Sequence, residues 1–260
     1  MGRMSAVTPP DLDGGPLEVL GRITVASNAT FLAAIDGTRV VYKPVAGEKP
    51  LWDFPDGTLA HREVAAYLVS EATGWGVVPR TWLRDGPLGP GMVQLWQEPD
   101  HEQDPVDVVP SDTVPAGVRT VLEGGDEEGR PVTLVHEDSP ALRRMAVLDV
   151  LVNNADRKGG HVLPQPDGRR LGVDHGVTFH VEPRLRTVLW GWLGDDLSPE
   201  EVAGVGRVRA ALDADLGRLL GPLLAPAEVD ALAARCDRLL AAPRFPGPEG
   251  EMPAVPWPLF

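Results

Sequence analysis

The sequence predicts an α+β fold, strand-rich in its first third and mostly helical towards its end. Three observations carry that expectation. Short apolar runs joined by turn residues fill 17–45; stretches at 58–71, 198–212 and 226–240 have helical spacing behind capping signals; and 161–173 reads as strand, turn, strand. At 260 residues the chain is long enough to bury a real core, as one large domain or two small lobes.

Bulk composition removes several function classes. A formal net charge of −14 disfavours nucleic acid and anionic membrane surfaces as partners. The single cysteine, Cys236, rules out an internal disulfide framework and fits a reducing cytoplasm. No apolar run approaches the roughly 20 residues of a membrane span, and no secretory h-region opens the chain. A cytoplasmic protein without integral membrane association is the expectation. Lysine occurs only at Lys43, Lys49 and Lys158 in an Arg-, Ala- and Gly-rich background, which suggests a GC-rich genome of the actinobacterial kind.

Residues 1–15 are Pro-, Gly- and Asp-rich and are expected to fray. A strand-like run at Leu17–Ile23 leads to Ser27-Asn28-Ala29-Thr30, then strands at Phe31–Ile35 and Arg39–Val45 flank an Asp36-Gly37 turn. The small residues 27–30 would offer free N–H groups to a phosphate, or cap an ordinary meander. Lys43 shares a strand face with Val41 and Val45; if buried it needs an anionic partner, and if at an edge it discourages aggregation. After a loop holding Trp52 and Phe54, Thr58 is a plausible cap for a helix over 58–71. Glu63 lies there beside Leu59 and Tyr67 on the packed side. Val77–Thr81 and Gly91–Glu98 read as further strands. Residues 98–139, rich in Asp, Glu, Pro and Gly, read as an acidic, partly mobile loop or small insertion.

The most informative stretch runs from Leu148 to Gly176. A helix from Pro140 stops at Asn153-Asn154, and Asp156-Arg157 occupy the following turn. A hairpin turning at Pro166-Asp167-Gly168 then returns the chain on itself, so His161 at its entrance and Asp174 at its exit should lie side by side. Asp156 faces the same end. Two carboxylates and an imidazole there suit a divalent metal with a general base beside it. Further on, Ser198-Pro199-Glu200-Glu201 is a capping box, and Pro226 opens a last helix with Cys236 on its apolar side. A Pro-rich tail, 243–260, is expected to lie on the body.

The segment L-D-x-x-x-x-N-x-D-R (148–157), followed by the hairpin and by Asp174-His175-Gly176, resembles type II phosphatidylinositol 4-kinases and HipA-like kinases. His161 departs from the asparagine usual there. The resemblance implies a two-lobed protein-kinase-like fold: a small lobe at 16–97, the insertion at 98–139 and a large lobe at 140–242. It also implies ATP with Mg²⁺ or Mn²⁺, and transfer of the γ-phosphate to a hydroxyl acceptor, a protein or small molecule in preference to a lipid. In that frame Ser27–Thr30 cover the nucleotide, Lys43 holds phosphates and Glu63 orients Lys43. Gln94, Leu95, Trp96 and Gln97 form the adenine-binding hinge. Asp156, with Arg157 beside it, serves catalysis, and His161 with Asp174 binds metal. The contrasting expectation is an inactive nucleotide-binding pseudokinase.

Overall fold

The computed structural model describes residues 11–23, 28–55, 57–249 and 252–260. The fold class is α+β with antiparallel sheets, as expected, and the chain divides into two compact units. One comprises Met1–Ala60 with Arg80–Trp96; the other comprises His61–Pro79 with Gln97–Phe260. The division falls inside a helix and assigns 61–79 to the second unit, whereas 16–97 had been expected to belong together.

The first unit is a five-stranded antiparallel sheet. Its strands are β1 (Leu17–Arg22), β2 (Phe31–Ile35), β3 (Thr38–Pro44), β4 (Thr81–Gly86) and β5 (Gly89–Leu95), in the order β1-β2-β3-β5-β4. Asp36 and Gly37 both take positive φ, the backbone that a tight hairpin between β2 and β3 requires. Strand alternation turns Val40 and Tyr42 into a small core with Leu17, Ala33, Ile35 and Val93. Gly91 lets β3 and β5 approach: a Cβ there would lie 2.4 Å from the Lys43 carbonyl oxygen. Residues 11–15 are not frayed. The Arg84 guanidinium donates to the carbonyls of Leu12 (3.0 Å) and Gly15 (2.8 Å), and Arg80 pairs with Asp13 at 2.8 Å. Residues 1–10 lie outside the described residues.

The helix α1 (Leu59–Thr73) is capped differently from expectation. The Glu48 carboxylate accepts the N–H groups of Leu59 (3.0 Å) and Ala60 (2.8 Å), while the Thr58 hydroxyl donates to the Pro55 carbonyl at 2.7 Å. A carboxylate meeting two orphan donors at the positive end of the helix is the stronger cap. After α1 the Ser70 hydroxyl accepts from the amides of Val77 and Val78, so those two turn inwards and the strand expected at Val77 begins only at Thr81.

In the second unit, residues 98–139 are more ordered than their composition suggests. They form an antiparallel sheet of β6 (Val106–Pro110), β7 (Val118–Gly125) and β8 (Pro131–Glu137), in the order β6-β8-β7. Val106 and Leu134 face the core, and Val135, on the opposite face of β8, is buried as well. Then come α2 (Pro140–Val152), the hairpin β9 (Val162–Pro164) and β10 (Arg170–Gly172), and helices α3 (Pro199–Leu212), α4 (Asp215–Leu220) and α5 (Pro226–Ala241). Ser198 and Glu201 close the anticipated capping box at the start of α3. Leu142, Met145, Leu148 and Leu151 from α2 meet Trp192, Val205, Leu232 and Cys236 in the core. Burial pushes the Cys236 thiol up to about 12, which leaves it inert as a nucleophile. The tail follows 187–190, with the Ala254 carbonyl accepting from Thr187 N (3.1 Å) and Trp190 Nε1 (2.8 Å). Among the described residues no helix is long and apolar enough to cross a membrane.

Candidate active site

The site begins where α2 stops. Asn153 takes the left-handed conformation at φ 52°, a backbone that asparagine tolerates better than most residues. Its amide nitrogen donates to the carbonyls of His180 (2.8 Å) and Glu182 (2.7 Å), and its oxygen accepts from Arg184 N at 2.9 Å. Asn154 works inwards. Its nitrogen donates to Asp149 Oδ1 at 2.9 Å, and its oxygen receives the amide of Asp156 at 3.0 Å. The two asparagines therefore stop the helix and set the direction of the Asp156 loop.

Arg157 is fully buried, as is Asp149. Its Nε and Nη2 donate to the two Asp149 oxygens at 2.8 and 2.9 Å, a bidentate pair. Its Nη1 donates to the carbonyls of His161 (3.2 Å) and Val173 (3.1 Å), and Nη2 also reaches His175 Nε2 at 2.7 Å. Because an arginine only donates, His175 Nε2 accepts and its proton lies on Nδ1. All five donors are thus consumed within the fold. Arg157, grouped with the catalytic residues as one that would hold the loop in shape, ties α2 and the loop to both strands of the hairpin. Asp149, present in the motif without an assigned role, is its counter-ion.

The hairpin does what the Asp-Gly turn implied. Leu163 pairs with Leu171, and His161 Nε2 lies 3.5 Å from Asp174 Oδ2. Asp174 itself is at φ 60°, so its half-exposed carboxylate projects from a left-handed turn. Glu63, 1% exposed on α1, fixes that turn from outside the hairpin: its Oε2 accepts the His175 amide at 2.9 Å. On the same helix Arg62 donates to the Thr178 carbonyl and pairs with Glu228 at 2.6 Å.

Asp156 sits at the open end of this framework. Burial raises its pKa above the ordinary carboxylate range, opposed by Lys158 and reinforced by the Asp174 carboxylate. Lys158 Nζ lies 3.4 Å from Asp156 Oδ2. Lys158 had no role in the sequence reading; its spacing two residues after Asp156 was the available signal. The three groups expected to converge are only partly joined. His161 and Asp174 form a pair and Asp156 feels Asp174, but among the described residues no three His, Cys, Asp or Glu side chains gather into a metal-ligating cluster.

The nucleotide-binding candidates of the first unit are placed as follows. Lys43 lies on β3 opposite Met92, on the partly buried face that it shares with Val41; the fully buried face is that of Val40, Tyr42 and Pro44. Ser27 lies outside the described residues. Asn28 Oδ1 accepts the amide of Lys49 at 2.9 Å, and Ala29 N donates to the Gly47 carbonyl at 3.1 Å. Thr30 is buried and its hydroxyl donates to the Asn28 carbonyl at 3.2 Å. The amide of Ala29 is therefore engaged rather than offered to a phosphate. In the hinge segment, Gln94 is buried with its amide on Thr81 Oγ1 at 2.8 Å. Leu95 N donates to the Arg80 carbonyl at 3.0 Å and Trp96 N to the Arg39 carbonyl at 3.1 Å. Those two amides serve the sheet, and Gln97 belongs to the second unit.

Fold and site together define an α+β protein whose second unit carries a desolvated aspartate on an arginine-locked loop beside a hairpin turn. No family model matches the sequence. The chain belongs to the family of protein Rv2133c of Mycobacterium tuberculosis, with 50% identity over 262 residues that span 96% of this chain and 94% of that protein. Among solved structures, the Helicobacter pylori proinflammatory kinase CtkA superposes with a TM-score of 0.47 at 11% identity, over 89% of this chain and 93% of that one. A likeness of that size carries no weight for fold or activity.

Proposed function

We propose that the protein is an ATP-dependent phosphotransferase with a hydroxyl acceptor, built on a kinase-like arrangement. The observation that carries this reading is Asp156: a partly buried carboxylate with a raised pKa, paired with Lys158 and feeling the charge of Asp174, on a loop that Arg157 immobilises. A base of that kind accepts the acceptor hydroxyl proton as the new O–P bond forms and the bond between the γ-phosphorus and the ADP oxygen breaks. Lys158 offsets negative charge beside it. Lys43 is the candidate for holding the nucleotide phosphates.

The donor set fits a divalent ion carried chiefly by phosphates. Asp174 supplies an exposed carboxylate and His161 an imbedded imidazole, and Mg²⁺ is commonly held by one or two carboxylates plus substrate phosphates. Such an ion would neutralise charge on the transferring phosphate. The acceptor is assigned to soluble alcohols or proteins because the chain carries a formal net charge of −14.

A second reading has its own observation. His161 stands where the resembled kinases carry asparagine, and imidazole is a softer ligand for Mg²⁺ than an amide oxygen; this favours a nucleotide-binding module without turnover. Purified protein incubated with labelled ATP and Mg²⁺ or Mn²⁺ separates the two. Metal-dependent ADP release or self-labelling, lost in Asp156→Asn and Asp174→Asn, supports phosphotransfer. ATP binding without ADP release, persisting across a panel of protein and small-alcohol acceptors, supports the binding module. Absence of ATP binding overturns both.

A further inference from the structure

His136 of β8 is only 1% exposed, and both of its ring nitrogens are engaged. Nδ1 lies 2.8 Å from the Glu137 carbonyl, which can only accept, so Nδ1 carries the proton. Nε2 lies 3.0 Å from the Gly191 amide, which can only donate, so Nε2 accepts. The two partners together fix a neutral imidazole of one tautomer. Gly191 belongs to a turn at 190–195, and this ring is one of the points at which the turn meets the three-stranded sheet. A Cβ at Gly191 would lie 2.5 Å from Nε2, so glycine permits the approach.

The neighbouring charges are already committed. The Trp192 ring lies 4.2 Å from the imidazole, and its Nε1 donates to Asp138 Oδ1 at 2.7 Å. From β7, Arg119 pairs with Asp138 Oδ2 at 2.8 Å and with Asp195 at 3.2 Å. From α2, Arg143 lies over the Trp192 ring and pairs with Glu201 at 3.0 Å and Asp195 at 3.8 Å. The Glu137 carboxylate is held by Arg170 at 2.8 Å. A second proton on His136 would meet an N–H where it needs an acceptor, in a site closed to water. Burial accordingly holds the His136 pKa below the usual histidine value; Arg119 acts in the same sense, and the Glu137 carbonyl and Asp138 oppose it.

We propose that His136 is a pH-sensitive latch: neutral, it fastens the 190–195 turn to β8 through the Gly191 amide, and protonation at Nε2 breaks that bond. The latch is independent of the phosphotransfer reading, since neither Asp156 nor a nucleotide takes part. The same turn carries Trp190, whose Nε1 donates to the Ala254 carbonyl at 2.8 Å, so acid acts on the turn that anchors the tail. Once opened, the ring regains its ordinary pKa of about 6.5. The closed latch is therefore at full strength above that pH and weakens as pH falls below it. Asp138 titrates elsewhere: against the upward pull of burial, bonds from Trp192 and Arg119 keep its carboxyl below the usual carboxylate range.

Two-dimensional NMR of the ¹⁵N-labelled full chain, titrated from about pH 7.5 to about pH 5.0 across the usual histidine value, tests this. At the upper end the His136 ring should show a protonated Nδ1 and a bare Nε2. On acidification Nε2 should take up a proton over the same interval in which the Gly191 amide and Trp192 indole resonances move. The amides of Leu148 and Leu232, in the helical core, should stay in place. His136→Gln sets an amide oxygen near the position of Nε2, an acceptor that does not titrate. Its Gly191 resonance should ignore pH, and its unfolding temperature should fall less than that of the wild type over the same range. A ring protonated on both nitrogens at the upper end, or an Nε2 still bare at the lower end, would overturn the latch. So would a Gly191 resonance that stays in place while Nε2 titrates, or one that moves equally in His136→Gln. All but the last of these are read on the wild type and stand even where the variant does not fold.

Discussion

Arg157 and Asp149 form a bidentate ion pair from which water is wholly excluded, and the same guanidinium holds two hairpin carbonyls and the ring of His175. Removing either partner strands a charge in the interior. Arg157→Leu or Asp149→Ala is therefore expected to cost about 3–5 kcal/mol. Arg157→Lys should also destabilise, because an ammonium cannot reproduce the planar fork. Chemical denaturation of the three variants checks this; wild-type stability in Arg157→Lys would contradict the fork assignment.

Asp156 behaves oppositely. Its folded pKa is raised, so ionisation is harder in the folded chain than in the unfolded one, and stability from this group declines as pH rises through that interval. Asp156→Asn should accordingly be at least as stable as wild type at pH 7 while losing phosphotransfer by about 10²–10⁴-fold. Thermal unfolding and ADP release on the same preparation read both quantities. A variant that is inactive because it is unfolded would count against the assignment.

The same group sets a pH profile. A base must be ionised, so turnover should fall as pH drops through a value above the usual carboxylate range of about 4. Lys158 lowers the Asp156 pKa. Lys158→Met should move the acid limb to higher pH. A limb that stays in place would remove Asp156 from the base role.

Much of this site is legible in the sequence because hairpins and helix stops are local. Asp167-Gly168 specifies the turn that brings His161 to Asp174, and Asn153-Asn154 mark the end of α2. What escaped is decided by distant partners. Arg157 is legible as a residue that holds the Asp156 loop, but its counter-ion Asp149, near the end of α2, is not. The cap on α1 comes from Glu48 across a loop, which propensity at Thr58 could not reveal. Composition misled over 98–139. Acidic residues and prolines outweighed the apolar alternation that builds β6 and β8.

Gly159 supports a fourth expectation. A Cβ there would lie 2.4 Å from the Phe260 ring, and its amide donates to the Leu259 carbonyl at 2.8 Å. Gly159→Val should undock 252–260 and make them quickly cleaved in limited proteolysis, with the rest of the second unit protected. Unchanged cleavage would show that the ring contact does not hold the tail.

The Glu63–His175 bond has a practical consequence. One amide in the Asp174-His175-Gly176 turn is fastened to a carboxylate more than a hundred positions earlier in the chain. Its proton is a built-in gauge: while the Glu63 carboxylate grips it, exchange with solvent water is slow. Any event that shifts α1 against the turn becomes readable at a single nucleus, without a label and without knowledge of the acceptor.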